Sequence, residues 1–318
     1  MSRERVLLLL RVARHYYEFG WDQARIAEVE GVSRPTVSRL LAEARRRGIV
    51  RIEIGHPSER AIELEERLAR RYALSGGARV AAVDPGAPLN SALGQVLGEI
   101  LQECVADDSV IAASTGGTVS ELIEELPSWH RPGVVVVQMI GLLDQANPIM
   151  DGSDIARRLA RAFGGTHRVL PAPLIVSDAR VAGGLRRESA VATALALGSR
   201  ADVAVVGIGA TGSGRTNIFD GLLAPAEEAE IAELGAVGHI LGRHFDADGR
   251  FLDHPIHQRL MAVSAERLSE IPCVIAAAYG PQKVRAITAA LSAGWVDWLI
   301  TDADTASTLV DAEPPAPA

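Results

Sequence analysis

The chain has 318 residues, 48% of them hydrophobic and 23% charged, with 32 basic and 40 acidic side chains and a net charge of −8. This is a globular composition with room for two domains, and its apolar runs fall far short of the ~20 residues a membrane-spanning helix needs. The acidic total excludes a protein that coats nucleic acid over its whole surface.

The apolar run Val6–Leu10 is broken by Arg11 and Arg14 and leads to no small-residue cleavage site, so no signal peptide is expected. The two cysteines, Cys104 and Cys273, are too few for a disulfide framework; the expectation is small buried hydrophobes in a reducing cytoplasm.

Charge is unevenly placed. Residues 1–55 carry 11 arginines and 7 acidic residues, a net of +4, which leaves −12 for the remainder. A small basic module on a large acidic body suggests one domain for a polyanion and another for something else. Lys283 is the single lysine in the chain.

From Val6 to Phe19, the residues Val6, Leu9, Leu10, Ala13, Tyr16 and Tyr17 recur at helix spacing, and Gly20 ends the helix. A short helix follows over 21–30, with Ala24, Ile26, Ala27 and Val29 as its apolar positions. Gly31 makes the turn, Ser33 stands where an N-cap belongs and Pro35 falls in the first turn of a third helix, 34–47. Its inward residues are Val37, Leu40, Leu41 and Ala44. Gly48 stops it, and the alternation over 49–54 suits a short strand or wing.

This is the pattern of a helix-turn-helix. Two helices pack across the turn at Gly31 through Ala27, Val32 and Val37. The start of the third helix presents Arg34, Pro35, Thr36, Ser38 and Arg39 to a major groove, where arginine reads guanine edges and hydroxyls meet bases or phosphates. Gln23 and Ser33, at the starts of the two helices, join that surface. Arg45, Arg46 and Arg47, with Arg51 in the wing, would meet the DNA backbone.

A charged helix over 58–72, with Ile62, Leu64 and Leu68 on one side, reads as a linker helix able to pack on a second subunit and to couple the two domains. Short apolar strands then alternate with helices. The predicted strands are 79–83, 109–113, 134–140, 168–170, 203–208, 273–278 and 298–301, with helices over 89–105, 153–163 and 283–293 among those between them. Near-continuous apolar strands alternating with helices mean α/β: a doubly wound parallel sheet. The expected organisation is a winged helix-turn-helix head over 1–55, the linker helix over 56–76, an effector domain over 77–310 and a Pro/Ala-rich disordered tail over 311–318.

Two glycine clusters lie at strand ends. Ser114-Thr115-Gly116-Gly117-Thr118 leads into a helix, so backbone N–H groups and the helix dipole can receive an anion, with hydroxyls offered by Thr115, Thr118 and Ser120. It lacks the lysine of a nucleotide-triphosphate loop, and a plain tight turn is the alternative. The second cluster, over 207–212, matches the dinucleotide pattern but precedes a poor helix start and reads better as a flexible loop covering a ligand.

Lys283 follows a predicted strand, at the sheet edge where open parallel sheets bind ligands. There it would suit a phosphate, form a Schiff base with a sugar carbonyl, or be an exposed helix-start lysine. The spacing of His239, His244, His254 and His257 does not suit a metal, and no cofactor is expected.

With head and body read this way, the chain resembles the SorC family of bacterial transcriptional regulators. The resemblance is carried in the head by Tyr16-Tyr17-Glu18, Ile26-Ala27, the run 33–41 and the run 44–50. In the body it is carried by 114–118, Leu170-Pro171-Ala172-Pro173, Val206-Gly207-Ile208-Gly209, Gly235-Ala236-Val237-Gly238, the runs 245–249 and 283–287, and Leu299-Ile300-Thr301-Asp302.

The resemblance implies a sugar-isomerase-like Rossmann variant as effector domain, a homo-oligomer (a dimer or tetramer) and a cytoplasmic regulator of a carbohydrate-utilisation operon. Its affinity for double-stranded operator DNA would answer to a bound sugar or sugar phosphate. By position, Gly116, Gly117 and Thr118 would form the phosphate loop, Lys283 would be its basic partner, and Gln145 and Asn147 would be further contacts.

Some phosphorylated-sugar sensors of the family place a basic residue near the end of the third body strand, here Gln138-Met139-Ile140-Gly141. Some place a Glu at the position of His239. These departures favour a monophosphate or a free polyol over a bisphosphate. The rival reading is a sugar-phosphate isomerase-like enzyme with a DNA-binding head. It would need a general base, for which Asp220, Asp246 and Asp302 are candidates by type.

Overall fold

The structure, a computed structural model, describes residues 3–50, 57–81, 88–143, 152–212, 217–219 and 221–312. It divides into two compact units, Met1–His56 and Pro57–Ala318.

The first unit is a three-helix head: α1 (Arg3–Tyr17), α2 (Gln23–Val29) and α3 (Arg34–Arg46). Its core is Leu9, Val12, Ala13, Ile26, Val37, Leu40, Leu41 and Ala44, with Ala27 and Val32 packed against it. Asp22 caps α2 by accepting the Arg25 N–H at 2.8 Å. Gly31, at φ +66°, ends it in the left-handed conformation that glycine adopts without strain.

The inward stripes are narrower than periodicity suggests. Leu10, Tyr16, Tyr17, Ala24 and Val29 are exposed. A small bundle needs only the one stripe of α1 that meets its two partners, so apolar residues beyond that stripe stay outside. Residues 51–56, where the wing is expected, lie outside the described residues.

The second unit is a doubly wound sheet. Seven strands, β1 (Gly77–Ala81), β2 (Val110–Ala113), β3 (Val135–Gln138), β4 (Thr166–Arg168), β5 (Val203–Gly207), β9 (Cys273–Ala277) and β10 (Trp298–Asp302), run in the order β1-β10-β9-β5-β2-β3-β4. Every pairing in this sheet is parallel.

Side-chain alternation feeds two cores. Val203 and Val205 pack with Ile111, Ile300 and the helices α5 (Leu89–Cys104), α6 (Gly117–Glu124) and α7 (Gly152–Phe163). Ala204 and Val206 face the opposite layer, built in part from α4 (Pro57–Tyr72), α8 (Ala179–Leu185), α9 (Ser189–Gly198), α11 (Val284–Ser292) and α12 (Ala303–Asp311). Burial on both faces is why these strands read as continuous apolar runs.

The fourth predicted strand, 168–170, is observed at 166–168. It is an exposed edge strand without apolar patterning, and the buried Leu170 that suggested it lies beyond its end. The helix over 57–72 packs into the body itself: Ala61, Leu64 and Leu68 are buried in one of the two cores, and Ile62 is exposed. The cysteines are half-buried rather than buried, with the Cys104 and Cys273 thiols hydrogen-bonded to each other.

The stretch after β5 is not simply a loop. Gly209–Ala210 forms β6, which pairs antiparallel with β7 (Gly238–Ile240), and β7 pairs with β8 (Arg243–Phe245). The helix α10 (Pro225–Glu233) lies between β6 and β7 in the chain. Strands of two or three residues are too short to leave a period in the sequence. Residues 213–216 and 313–318 lie outside the described residues. No helix among the described residues is long and apolar enough to cross a membrane.

Candidate functional site

In the head, α3 turns one face to solvent. Arg34, Ser38 and Arg45 follow one ridge and Pro35, Arg39 and Arg46 the next, while Val37, Leu40, Leu41 and Ala44 take the opposite side. All six ridge residues are exposed, as is Ser33; Thr36 and Gln23 are half-buried.

Ser33 stands at the cap position of α3 but makes no cap bond. Its hydroxyl meets that of Thr36 at 2.8 Å. Arg39 folds back along the helix, donating from Nε to the Pro35 carbonyl and from Nη2 to Thr36 Oγ1, each at 3.4 Å. These long contacts hold the guanidinium loosely.

The ridge is braced from behind. Arg11 of α1 grips Glu30 through two bonds of 3.1 and 2.8 Å, which hold that carboxyl below the usual range. Arg5 reaches Glu43 of α3 at 2.6 Å. Arg47, expected at the DNA backbone, pairs with Glu43 at 2.7 Å, and Arg51 lies outside the described residues.

In the body, β2 and β5 lie side by side where the chain reverses its direction of travel across the sheet, the position at which open α/β sheets bind ligands. A cleft of about 290 Å³ opens there. Ser114, Thr115, Gly116, Gly117, Thr118 and Lys283 all line it, so residues far apart in sequence meet. Gly116, at φ +133°, turns the chain into α6, leaving the first amides of that helix without intrahelical partners.

Ser114 ties two strand ends together: its hydroxyl accepts the Gly207 N–H at 3.2 Å. Ser120 is turned away and buried, bonded through its hydroxyl and carbonyl to Arg158 of α7, so it offers nothing to the cleft. Gln145 and Asn147 lie outside the described residues; Leu143 lines the cleft.

Lys283 sits half-buried in the turn Pro281–Lys283 that opens α11. That turn is fixed through Gly280, whose N–H donates to Thr305 Oγ1 at 2.8 Å; Thr305 in turn bonds Asp302, the cap of α12. Burial lowers the pKa of Lys283, and the Glu121 carboxylate opposes that effect.

Sequence reasoning passed over two lining residues, Glu121 and Tyr279. Glu121 stands one helical turn after Gly117, and the Tyr279 hydroxyl donates to it at 3.2 Å. Burial, then the Glu121 charge, pushes Tyr279 up to about 12. His239, buried on β7, also lines the cleft. Burial, reinforced by Lys283, pushes its pKa down to about 3, so the ring is neutral. Ile140, Ile208, Ile218 and Leu241 supply apolar walls.

Of the carboxylates considered as general bases, Asp302 caps α12 and Asp246 accepts the N–H groups of Asp248 and Arg250 in a turn. Neither lines the cleft, and Asp220 lies outside the described residues. The clustered histidines bond in pairs, His244 to His257 at 3.1 Å and His254 to Glu230 at 3.0 Å. They form no group able to hold a metal among the described residues.

A three-helix unit whose third helix exposes a basic face, joined in one chain to a parallel-sheet unit with a cleft at its switch point lined by a helix N-terminus and a lysine, has the build of a ligand-responsive transcriptional regulator. The sugar-binding domain family, Sugar-bind, matches residues 56–311. The chain is 34% identical to the transcriptional regulator LsrR of Klebsiella pneumoniae over 305 residues, covering 94% of this chain and 91% of that one. It is 30% identical to the deoxyribonucleoside regulator of Bacillus subtilis, covering 98% and 99%. The full-length sorbitol operon regulator SorC of Klebsiella pneumoniae superposes with a TM-score of 0.73 at 26% identity, covering 98% of this chain and 99% of that one.

The chain belongs to the SorC family of sugar-responsive transcriptional regulators. These relatives are regulators rather than enzymes, which removes the isomerase alternative.

Proposed function

We propose that this regulator binds operator DNA through α3 and that a sugar phosphate held in the body cleft changes the affinity. Arg34, Pro35, Thr36, Ser38 and Arg39 enter the major groove, flanked by Ser33 and Gln23, and Arg45 and Arg46 neutralise backbone phosphates. In the body, the amides of Gly116, Gly117 and Thr118 and the ammonium of Lys283 hold the phosphate. Ser114 and Thr115 shape the loop, and Gln145 and Asn147 complete the sugar contacts. The protein works in the cytoplasm as a homo-oligomer, a dimer or tetramer, matching two-fold symmetric operators.

The observation that carries this reading is the meeting of the Ser114–Thr118 loop with the chain's single lysine in one cleft. A helix N-terminus supplies oriented N–H donors and half a positive charge, and a half-buried ammonium adds a full one; together they suit a phosphate. The effector acts by binding two arrangements of the protein unequally, and a coupling of about 1–3 kcal/mol gives a five- to hundredfold change in operator affinity.

The test is a gel shift on the DNA upstream of the regulator's own operon, titrated with a panel of sugars and sugar phosphates. One phosphorylated sugar should change the shift at a fixed protein concentration. Absence of a shift with every upstream fragment refutes the reading.

A further inference from the structure

One short helix, α12, is bonded at its start to the turn that carries Lys283 and at its end to α4. It spans nine residues, about 13 Å at the usual helical rise, and its residues Thr305, Ala306 and Leu309 are buried. In the first turn, Thr305 Oγ1 accepts the Gly280 N–H at 2.8 Å and donates to Asp302 Oδ2 at 3.1 Å. The one proton of this hydroxyl is committed to the helix cap, so the hydroxyl meets the Lys283 turn as an acceptor.

The last turn belongs to α4. A helix C-terminus leaves carbonyls without intrahelical donors, and α4 supplies the donors here. The Tyr72 hydroxyl donates to the Leu309 carbonyl at 3.1 Å and Arg71 Nη1 to that of Val310 at 3.3 Å, while Arg71 Nη2 donates to that of Ala312. Arg67 pairs with Asp311 at 3.3 Å. Guanidinium groups at this end also meet the negative end of the helix dipole. All of these donors lie in the last two turns of α4. The first residue of α4, Pro57, opens the body unit and follows the head directly in the chain.

A helix packed into a dense core shifts as a unit, because such packing accepts discrete arrangements rather than gradual deformation. A ligand that draws the Lys283 ammonium displaces Gly280, and Gly280 pulls on Thr305. We infer that α12 carries cleft occupancy to the head, with Thr305 joining it to the Lys283 turn and Arg71 and Tyr72 joining it to α4. The inference rests on the effector reading of the cleft given above.

The test uses the full-length chain, its operator DNA and a panel of pentoses, hexoses and their monophosphates. Gel shifts measure operator affinity with and without each saturating panel member, and calorimetry measures binding of that member. In the natural protein one member should change operator affinity about five- to hundredfold. Arg71→Met combined with Tyr72→Phe, and separately Thr305→Val, should still bind operator and that member. The change in operator affinity should fall below about twofold in each, since coupling is lost while both sites remain. Thr305→Ser keeps the hydroxyl and should keep the response; a role in packing alone would reverse the order of serine and valine. Hydrogen exchange on the natural protein should show altered protection over 303–311 and 61–72 when that member is added.

A full response in either coupling-deficient variant overturns the inference and leaves the effector reading intact. So does an exchange change confined to the residues lining the cleft, a result that needs no variant to fold. If no panel member changes operator affinity in the natural protein, the effector reading fails and the inference falls with it.

Discussion

The ring of His239 lies directly over Gly209: a Cβ built on that glycine would stand 2.0 Å from His239 Nε2. The two residues are also register partners across β6 and β7, and both line the body cleft. Gly209→Ala must therefore displace the imidazole or part the strands. Overpacking of this kind costs about 1–3 kcal/mol. Denaturant unfolding should show that loss, and titration of the variant should show weakened effector binding. A variant as stable as the natural protein would mean that the ring moves aside freely.

Arg34 and Arg39 are both exposed on α3, so replacing them with alanine should leave the fold unchanged. A bidentate arginine–base pair is worth about 1–3 kcal/mol of discrimination against the wrong base. The double variant should lose selective operator binding in gel shifts, keep its circular dichroism spectrum and still bind effector. Unimpaired site-selective binding would remove α3 from the groove.

Replacing Lys283 with methionine keeps most of the side chain's bulk and removes its charge. A charge-assisted hydrogen bond to phosphate is worth about 1.5–3 kcal/mol. Affinity for a phosphorylated effector should fall roughly tenfold to a hundredfold, while operator binding without effector stays as it was. Calorimetry and gel shifts on the same preparation check both halves.

Burial holds three histidines neutral, with pKa values near 3 for His239, 2 for His244 and 4 for His257. In the unfolded chain each takes up its proton near pH 6.5. Between those values the unfolded state binds more protons than the folded one, so stability is complete above about pH 6.5 and falls as the pH drops. His239 and His244, the two most deeply buried, each contribute up to about 1.4 kcal/mol per pH unit in that window, and the more exposed His257 contributes less. Urea unfolding at pH 7.5 and pH 5 should show a lower midpoint in acid, and a variant with leucine at His244 should lose part of that dependence.

Leu68 of α4 is fully buried in the body. Leu68→Ala should cost about 2–5 kcal/mol of body stability. A helix that merely linked the two units would tolerate the change. Thermal unfolding of the full-length chain distinguishes the two outcomes.

Much of this molecule is legible in one dimension. The helix-turn-helix is local: Gly31, Pro35 and the 3.6-residue stripe through Val37, Leu40, Leu41 and Ala44 are interactions within a few turns of chain, so spacing reveals them. The seven parallel strands are for the most part equally visible, because burial on both faces makes them continuous apolar runs; the exposed edge strand β4 is the exception. The Ser114–Thr118 loop is visible as well, as small residues between a strand and a helix, but the same pattern suits a plain tight turn, and only the packing shows that it lines a cleft.

What only the tertiary structure decided depends on residues far apart in the chain. Nothing near Lys283 in sequence shows that it faces Glu121, or that Tyr279 bonds that carboxylate. The sheet order brings β2, β5 and β9 together and so assembles the cleft. The same packing buries Ser120 against Arg158, turns Ile62 of α4 outward and closes His239 over Gly209. Periodicity records which side of an element is buried; what lies against that side is set by long-range packing, where no local pattern reaches.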